Sequence, residues 1–250
     1  MKMEKVILAV LLVCFATLAM ATDRQPATVG EYAGLSQVRT DLLNSNTAVT
    51  RCAKVTGYYY YSGSIGSSGN GFANEDDTLV PDSHIYQPFS VVSKGTEKHL
   101  TVTGLCINSL DTAGVGIDNP TPYEVRFGAK VGSGGTLVCS GNATSSDDPT
   151  GRGGFGVNEY THAVKIRKCK LAGSAKKGTQ YHMNVTPQCF KNQVCGNARY
   201  FEDTDDSSID HIGPPTNRGH TLWSSGTFGE HWVYPGAPSF SAGVTGSLTK

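Results

Sequence analysis

From Ala48 onward, apolar and polar residues alternate in short runs separated by Gly, Pro, Ser and Asn, the period-two pattern of strands that bury one face. Tyr181, Met183 and Val185 alternate with His182, Asn184 and Thr186, and Pro187, which has no backbone donor, predicts the end of that strand. Tyr160, His162, Val164, Ile166 and Lys168 form a second alternating series. A third runs from His99 to Ser109 through Leu100, Val102, Gly104 and Cys106 to Ile107. Tyr123–Phe127 and Thr136–Cys139 read as shorter strands, and Ala198–Phe201 as the return partner of the Tyr181 strand. Ile85–Val92 is apolar, with Pro88 predicting a sheet edge or a strand start. Four consecutive tyrosines, Tyr58–Tyr61, point to both faces of a strand, two to the core and two outside, the outer pair forming a stacking surface or packing against a neighbouring strand. Ser62–Thr78 and Gly141–Gly156, rich in Gly and polar residues, read as loops.

Short strands at this spacing, with almost no helical pattern, predict an all-β fold: one jelly-roll-like antiparallel β-sandwich over 48–250. No repeat of fixed period occurs, which disfavours a propeller or solenoid. Ahead of the sandwich, residues 22–47 read as a lead-in, irregular or a short helix. Thr28 to Glu31 has capping-box spacing and Tyr32, Leu35, Val38 and Leu42 follow at helical intervals, but Gly30 and Gly34 each cost about 1 kcal/mol relative to Ala.

The first 21 residues change the picture of compartment. Lys2 and Lys5, an apolar run from Val6 to Ala16 and small residues at Ala19 and Ala21 predict a cleaved secretory signal, too short to span a bilayer. The chain is formally neutral, and losing two Lys and one Glu with the signal leaves it nearly so. That excludes a general electrostatic grip on nucleic acid or anionic lipid. Lys165, Arg167, Lys168, Lys170, Lys176 and Lys177 form the densest basic patch, without interleaved aromatics, and read as a solvated face. Beyond Cys14, inside the signal, six cysteines remain: Cys52, Cys106, Cys139, Cys169, Cys189 and Cys195. An even count behind an export signal predicts three disulfides in any of fifteen connectivities, with the close pair Cys189–Cys195 favoured.

Candidate chemistry is sparse. Glu202, Asp203, Asp205, Asp206 and Asp210 form the densest acidic cluster, an oxygen-rich set suited to calcium or else a solvated turn. Trp223, Phe228, Trp232 and Tyr234 surround a Gly-bounded turn and either stack on a sugar face or fill core. His211, His220 and His231 match no zinc-ligand spacing. No lipase-type elbow, zincin, P-loop or dinucleotide motif occurs, and pairs such as Glu75/Asp76 and Asp147/Asp148 are adjacent rather than facing. Asn142-Ala-Thr144 and Asn184-Val-Thr186 are sequons that matter in a eukaryotic secretory pathway.

Lys177-Gly-Thr-Gln-Tyr-His-Met-Asn-Val185 and Phe240-Ser-Ala-Gly-Val-Thr-Gly246 resemble two strands of a loose group of uncharacterised bacterial extracellular β-sandwich domains. The chain departs from that group at Lys130–Gly135, which lacks the Asp of its turn, and at His182, where an aromatic is common. The resemblance implies an extracellular jelly-roll-like sandwich and no catalytic residues. The expected function is therefore a secreted, non-enzymatic surface or matrix component that binds glycan or protein. The alternatives are a polysaccharide hydrolase with Asp/Glu catalysts, or a subunit self-associating through a strand edge near Pro88 or the C-terminus.

Overall fold

A computed structural model describes residues 52, 57–63, 71–74, 82–112, 117–130, 133–154, 157–189, 199–202, 211–214, 221–225, 229–232 and 239–250. The signal segment, the 22–47 lead-in and the Cys195 position lie outside them. The strands in chain order are β1 (Tyr58–Tyr61), β2 (Gly71–Ala73), β3 (His84–Val91), β4 (His99–Thr112), β5 (Ile117–Asp118), β6 (Thr121–Phe127), β7 (Thr136–Ala143) and β8 (Ser145–Gly154). They continue as β9 (Val157–Ala172), β10 (Thr179–Val185), β11 (Gln188–Cys189), β12 (Arg199–Glu202), β13 (Leu222–Ser225), β14 (Gly229–Trp232) and β15 (Ala242–Thr249). No helix occurs among the described residues, so none there could cross a membrane.

The fold is the expected all-β sandwich of two antiparallel sheets. In the first, β4 is the spine: β9 runs along one flank for its whole length, and β15 and then β12 share the other. β1 lies outside β15, β2 outside β12, and β8 outside β9. The second sheet has the order β14-β13-β3-β10-β6-β7. Both segments that carry the family resemblance contain strands, β10 and β15.

The core lies between the sheets. β3 contributes Ile85, Phe89 and Val91, and β10 contributes Tyr181, Met183 and Val185, alternating as their sequences dictate. In β4 and β9 the alternation changes phase. The register of β4 shifts against β9 between Val102 and Gly104, and β15 shifts against β4 between Thr245 and Gly246. Core positions therefore run Leu100, Val102 and then Leu105, Ile107 along β4; along β9 they run Val164, Ile166 and then Cys169, Leu171. Unbroken alternation would have kept Lys168 in phase with Ile166, and Gly104 and Cys106 in phase with Val102. The bulges turn Cys169 inward and Cys106 to the opposite face instead.

Those reversals set the crosslinks. Cys139 on β7 of the second sheet bonds Cys169 on β9 of the first, so one disulfide crosses the sandwich. Cys106 bonds Cys52 on the outer face of the first sheet, where Tyr61 is buried with them and Tyr58 packs alongside. With sequence separations of 30 and 54 between partners, each closes a loop that stabilises by about 4 kcal/mol in the chain-entropy account. Cys189 lies on β11, paired with β5; its favoured partner, Cys195, is outside the described residues.

Five expectations are corrected. Ala198–Phe201 is not the return partner of the Tyr181 strand: β12 pairs with β4 and β2 in the first sheet, whereas β10 lies between β3 and β6 in the second. The tyrosine run does not alternate strictly: a register shift between Tyr58 and Tyr60 puts Tyr59 and Tyr60 against the core and Tyr58 and Tyr61 over the Cys52–Cys106 bond. Pro88 is not on an edge strand, because β3 pairs with β13 through His84–Tyr86 and with β10 through Gln87–Val91. The proline is tolerated just past the end of β13, where that flank needs no ladder donor. The C-terminal strand β15 is likewise interior, between β1 and β4. Finally, most of Gly141–Gly156 is strand, since β8 pairs along β9 despite its Gly and Asp content, and part of Ser62–Thr78 forms β2.

Candidate functional site

Polar side chains collect at one end of the inter-sheet space, where apolar core gives way to Asp111, His162 and Asp147. Ile107 faces His162 across the β4–β9 ladder, and Asp147 faces it across β8–β9, so β4, β9 and β8 bring the three groups to one face. His162 is fully buried. Its Nε2 donates to Asp111 Oδ2 at 3.0 Å and its Nδ1 to Asp147 Oδ1 at 2.9 Å. Burial alone would drive the imidazole pKa down; the two carboxylates outweigh it and hold it raised, at about 9. Ser109 Oγ donates to Asp111 Oδ1 at 2.6 Å, and Ser145 Oγ to Asp147 Oδ1. The Tyr160 ring stacks on the imidazole with centroids 6.1 Å apart.

Chemically this is a buried imidazolium held by two carboxylates. With both ring nitrogens donating, neither has a lone pair to take a proton from a nucleophile or to ligate a metal. The serines bond the aspartates rather than the histidine, so the order needed for an activated hydroxyl is missing. The cluster is a structural clamp across three strands.

A second polar group lies on β3 and β6, which flank β10. Tyr86 donates to Glu124 Oε2 at 2.9 Å, Arg126 Nε donates to the same oxygen at 2.7 Å, and the Arg126 guanidinium sits 5.2 Å over the Tyr86 ring. Burial, reinforced by the Glu124 charge, pushes the Tyr86 phenol above its ordinary range. Burial opposes ionisation of Glu124, yet Arg126 holds its carboxyl below the usual range. An anion this well matched to its own cation offers little to a ligand.

Among the described residues, a cleft of about 530 Å³ lies beside β1. Tyr58, Tyr59, Pro214 and Leu248 supply apolar wall, and Lys94 and Glu97 line it as well. Tyr59 OH accepts from Val92 N at 2.9 Å and donates to Ser90 O at 3.3 Å, which fixes its ring. The Lys94 and Glu97 backbones bond each other in both directions, so a tight turn presents the two opposite charges together.

Of the residues singled out in the sequence, only some lie among the described ones. Glu202 closes β12, while Asp203, Asp205, Asp206 and Asp210, the rest of the calcium set, lie outside the described residues. Trp223 on β13 pairs in register with His231, and Trp232 on β14 with Leu222. Phe228 and Tyr234 are outside the described residues. Asp147, read as one of a loop pair with Asp148, is drawn to His162 by β8. Asp111 and Gln87 carried no sequence signal: Gln87 sits in a mostly apolar run, and Asp111 is a lone acid after Asn108 and Ser109. Pairing Asp111 with His162 needed the β4–β9 register, which no local pattern encodes. Set against protein-family models and curated proteins, the chain matches none.

Proposed function

We propose that the chain is a secreted, non-enzymatic β-sandwich of a surface or extracellular matrix that binds glycan through the cleft beside β1. The cleft carries this reading. An apolar wall built on Tyr58 and Tyr59, with a cation and an anion in the same lining, suits a sugar: its CH face would lie on the rings and its hydroxyls would bond both charges. Two disulfides and an imidazolium clamp give the support around it the rigidity a binding scaffold needs.

The test is a glycan array probed with the exported chain, followed by Lys94→Ala and Glu97→Ala together. Selective binding that weakens at least tenfold in the double variant, with an unchanged melting temperature, supports the proposal. Absence of any selective glycan, or binding indifferent to both charges, overturns it. Release of reducing ends from a bound polysaccharide would place the chain among the hydrolases instead.

A further inference from the structure

The two sequons occupy opposite environments. Asn184 is 1% exposed and Thr186 2%. The Asn184 amide donates to Asn74 Oδ1 and to Ile85 O, each at 2.6 Å, and Thr186 Oγ1 donates to Asn184 Oδ1. Asn74 Oδ1 also accepts from Ile85 N at 3.0 Å, so the two asparagines take over the backbone bonds of β3 beyond Gln87, where its described pairing with β10 ends. A sugar on Asn184 would take away an amide hydrogen and find no room in that network.

Asn142 and Thr144 are both exposed. Asn142 lies on β7, whose one flank pairs with β6 and whose other flank has no strand partner among the described residues. Most of β7 is solvent-exposed, Leu137 by 47% and Val138 by 39%, as is Phe127 beside it on β6 by 48%. The strand carries no charge and no proline, the usual devices that stop an edge from adding another strand.

We propose that Asn142 is the N-glycan acceptor of the exported chain and that the glycan caps the open edge of β7, while Asn184 is a structural asparagine that stays unmodified. A bulky, hydrated glycan near the end of an uncharged edge strand blocks the approach of a second copy. The assignment rests on the reading of the chain as exported, and places that export in a eukaryotic secretory pathway.

The full chain, with its own residues 1–21, is expressed in insect cells and recovered from the medium. Enzymatic glycan removal in heavy-oxygen water, followed by peptide mapping, is expected to label Asn142 and leave Asn184 unlabelled. Asn142→Gln should abolish the mobility shift on glycan removal. The native glycoprotein should elute as a monomer, and the deglycosylated protein should associate as its concentration rises. Export without a glycan on Asn142, or a glycan on Asn184 in folded protein, overturns the assignment while leaving export intact. A deglycosylated chain that stays monomeric overturns the capping role. Retention in the cell with residues 1–21 uncleaved would refute export itself, and the acceptor assignment with it.

Discussion

His162 Nε2 donates to Asp111 Oδ2 across 3.0 Å with the imidazole fully buried, and Asp147 takes up the other ring nitrogen. Removing one partner of a buried charge cluster costs far more than an exposed pair is worth. His162→Gln should destabilise the fold by about 3 kcal/mol in denaturant melts, through two carboxylates that lose their cation.

The same group predicts a pH dependence of definite sign. Its folded pKa is raised from 6.5 to about 9. Below the ordinary value both folded and unfolded chains carry the proton, and the full stabilisation is present. Between the two values only the folded chain holds it, so stability falls as pH rises and this contribution is gone above about 9. Melting temperature should therefore drop between pH 7 and pH 9 in the parent chain. His162→Gln should remove that part of the slope; an unchanged slope in the variant would assign it elsewhere.

Gln87 bridges the sheets. Its Nε2 donates to Tyr60 OH at 2.9 Å and its Oε1 accepts from Phe240 N at 2.8 Å, all three residues being fully buried. Gln87→Leu keeps approximate volume but withdraws an acceptor from Phe240 N and a donor from Tyr60 OH, at about 1–3 kcal/mol for each buried bond lost. A loss of about 3 kcal/mol in equilibrium unfolding is expected. A neutral outcome would mean that neighbouring groups take over both bonds.

Gly243 is held small by the disulfide beneath it. A Cβ there would stand 2.8 Å from Cys106 Sγ and 2.7 Å from the Tyr58 ring. Gly243→Ala should cost more than about 2 kcal/mol, as overpacking in tight cores does. Gly95→Ala, in a turn at positive φ and with open space around its Cβ position, isolates backbone strain and should cost less.

Fold class was legible because most core strands obey period two: Ile85, Phe89 and Val91, or Tyr181, Met183 and Val185, need only a face to bury. What escaped has a common physical origin in strand pairing. The bulges that turn Cys106 outward and Cys169 inward depend on the partners of β4, and local alternation carries no record of them. β8 looked like loop because its Ser145 and Asp147 face polar partners, so no apolar stripe marks it. Pro88 suggested an edge, yet β13 stops two residues short of it. Of the candidate sites, the acidic and aromatic sets were visible as composition. The His162 clamp and the cleft beside β1 join residues from distant parts of the chain, and only the assembled sheets bring them together.

The central claim is a sandwich whose sheets are crosslinked by oxidised cysteines, and peptide mapping of the native chain without reduction tests it most directly. The account predicts Cys52–Cys106 and Cys139–Cys169, with Cys189 joined to Cys195 as the remaining pair. Free thiols at Cys139 and Cys169 in folded protein, or either of them joined to another cysteine, would contradict it.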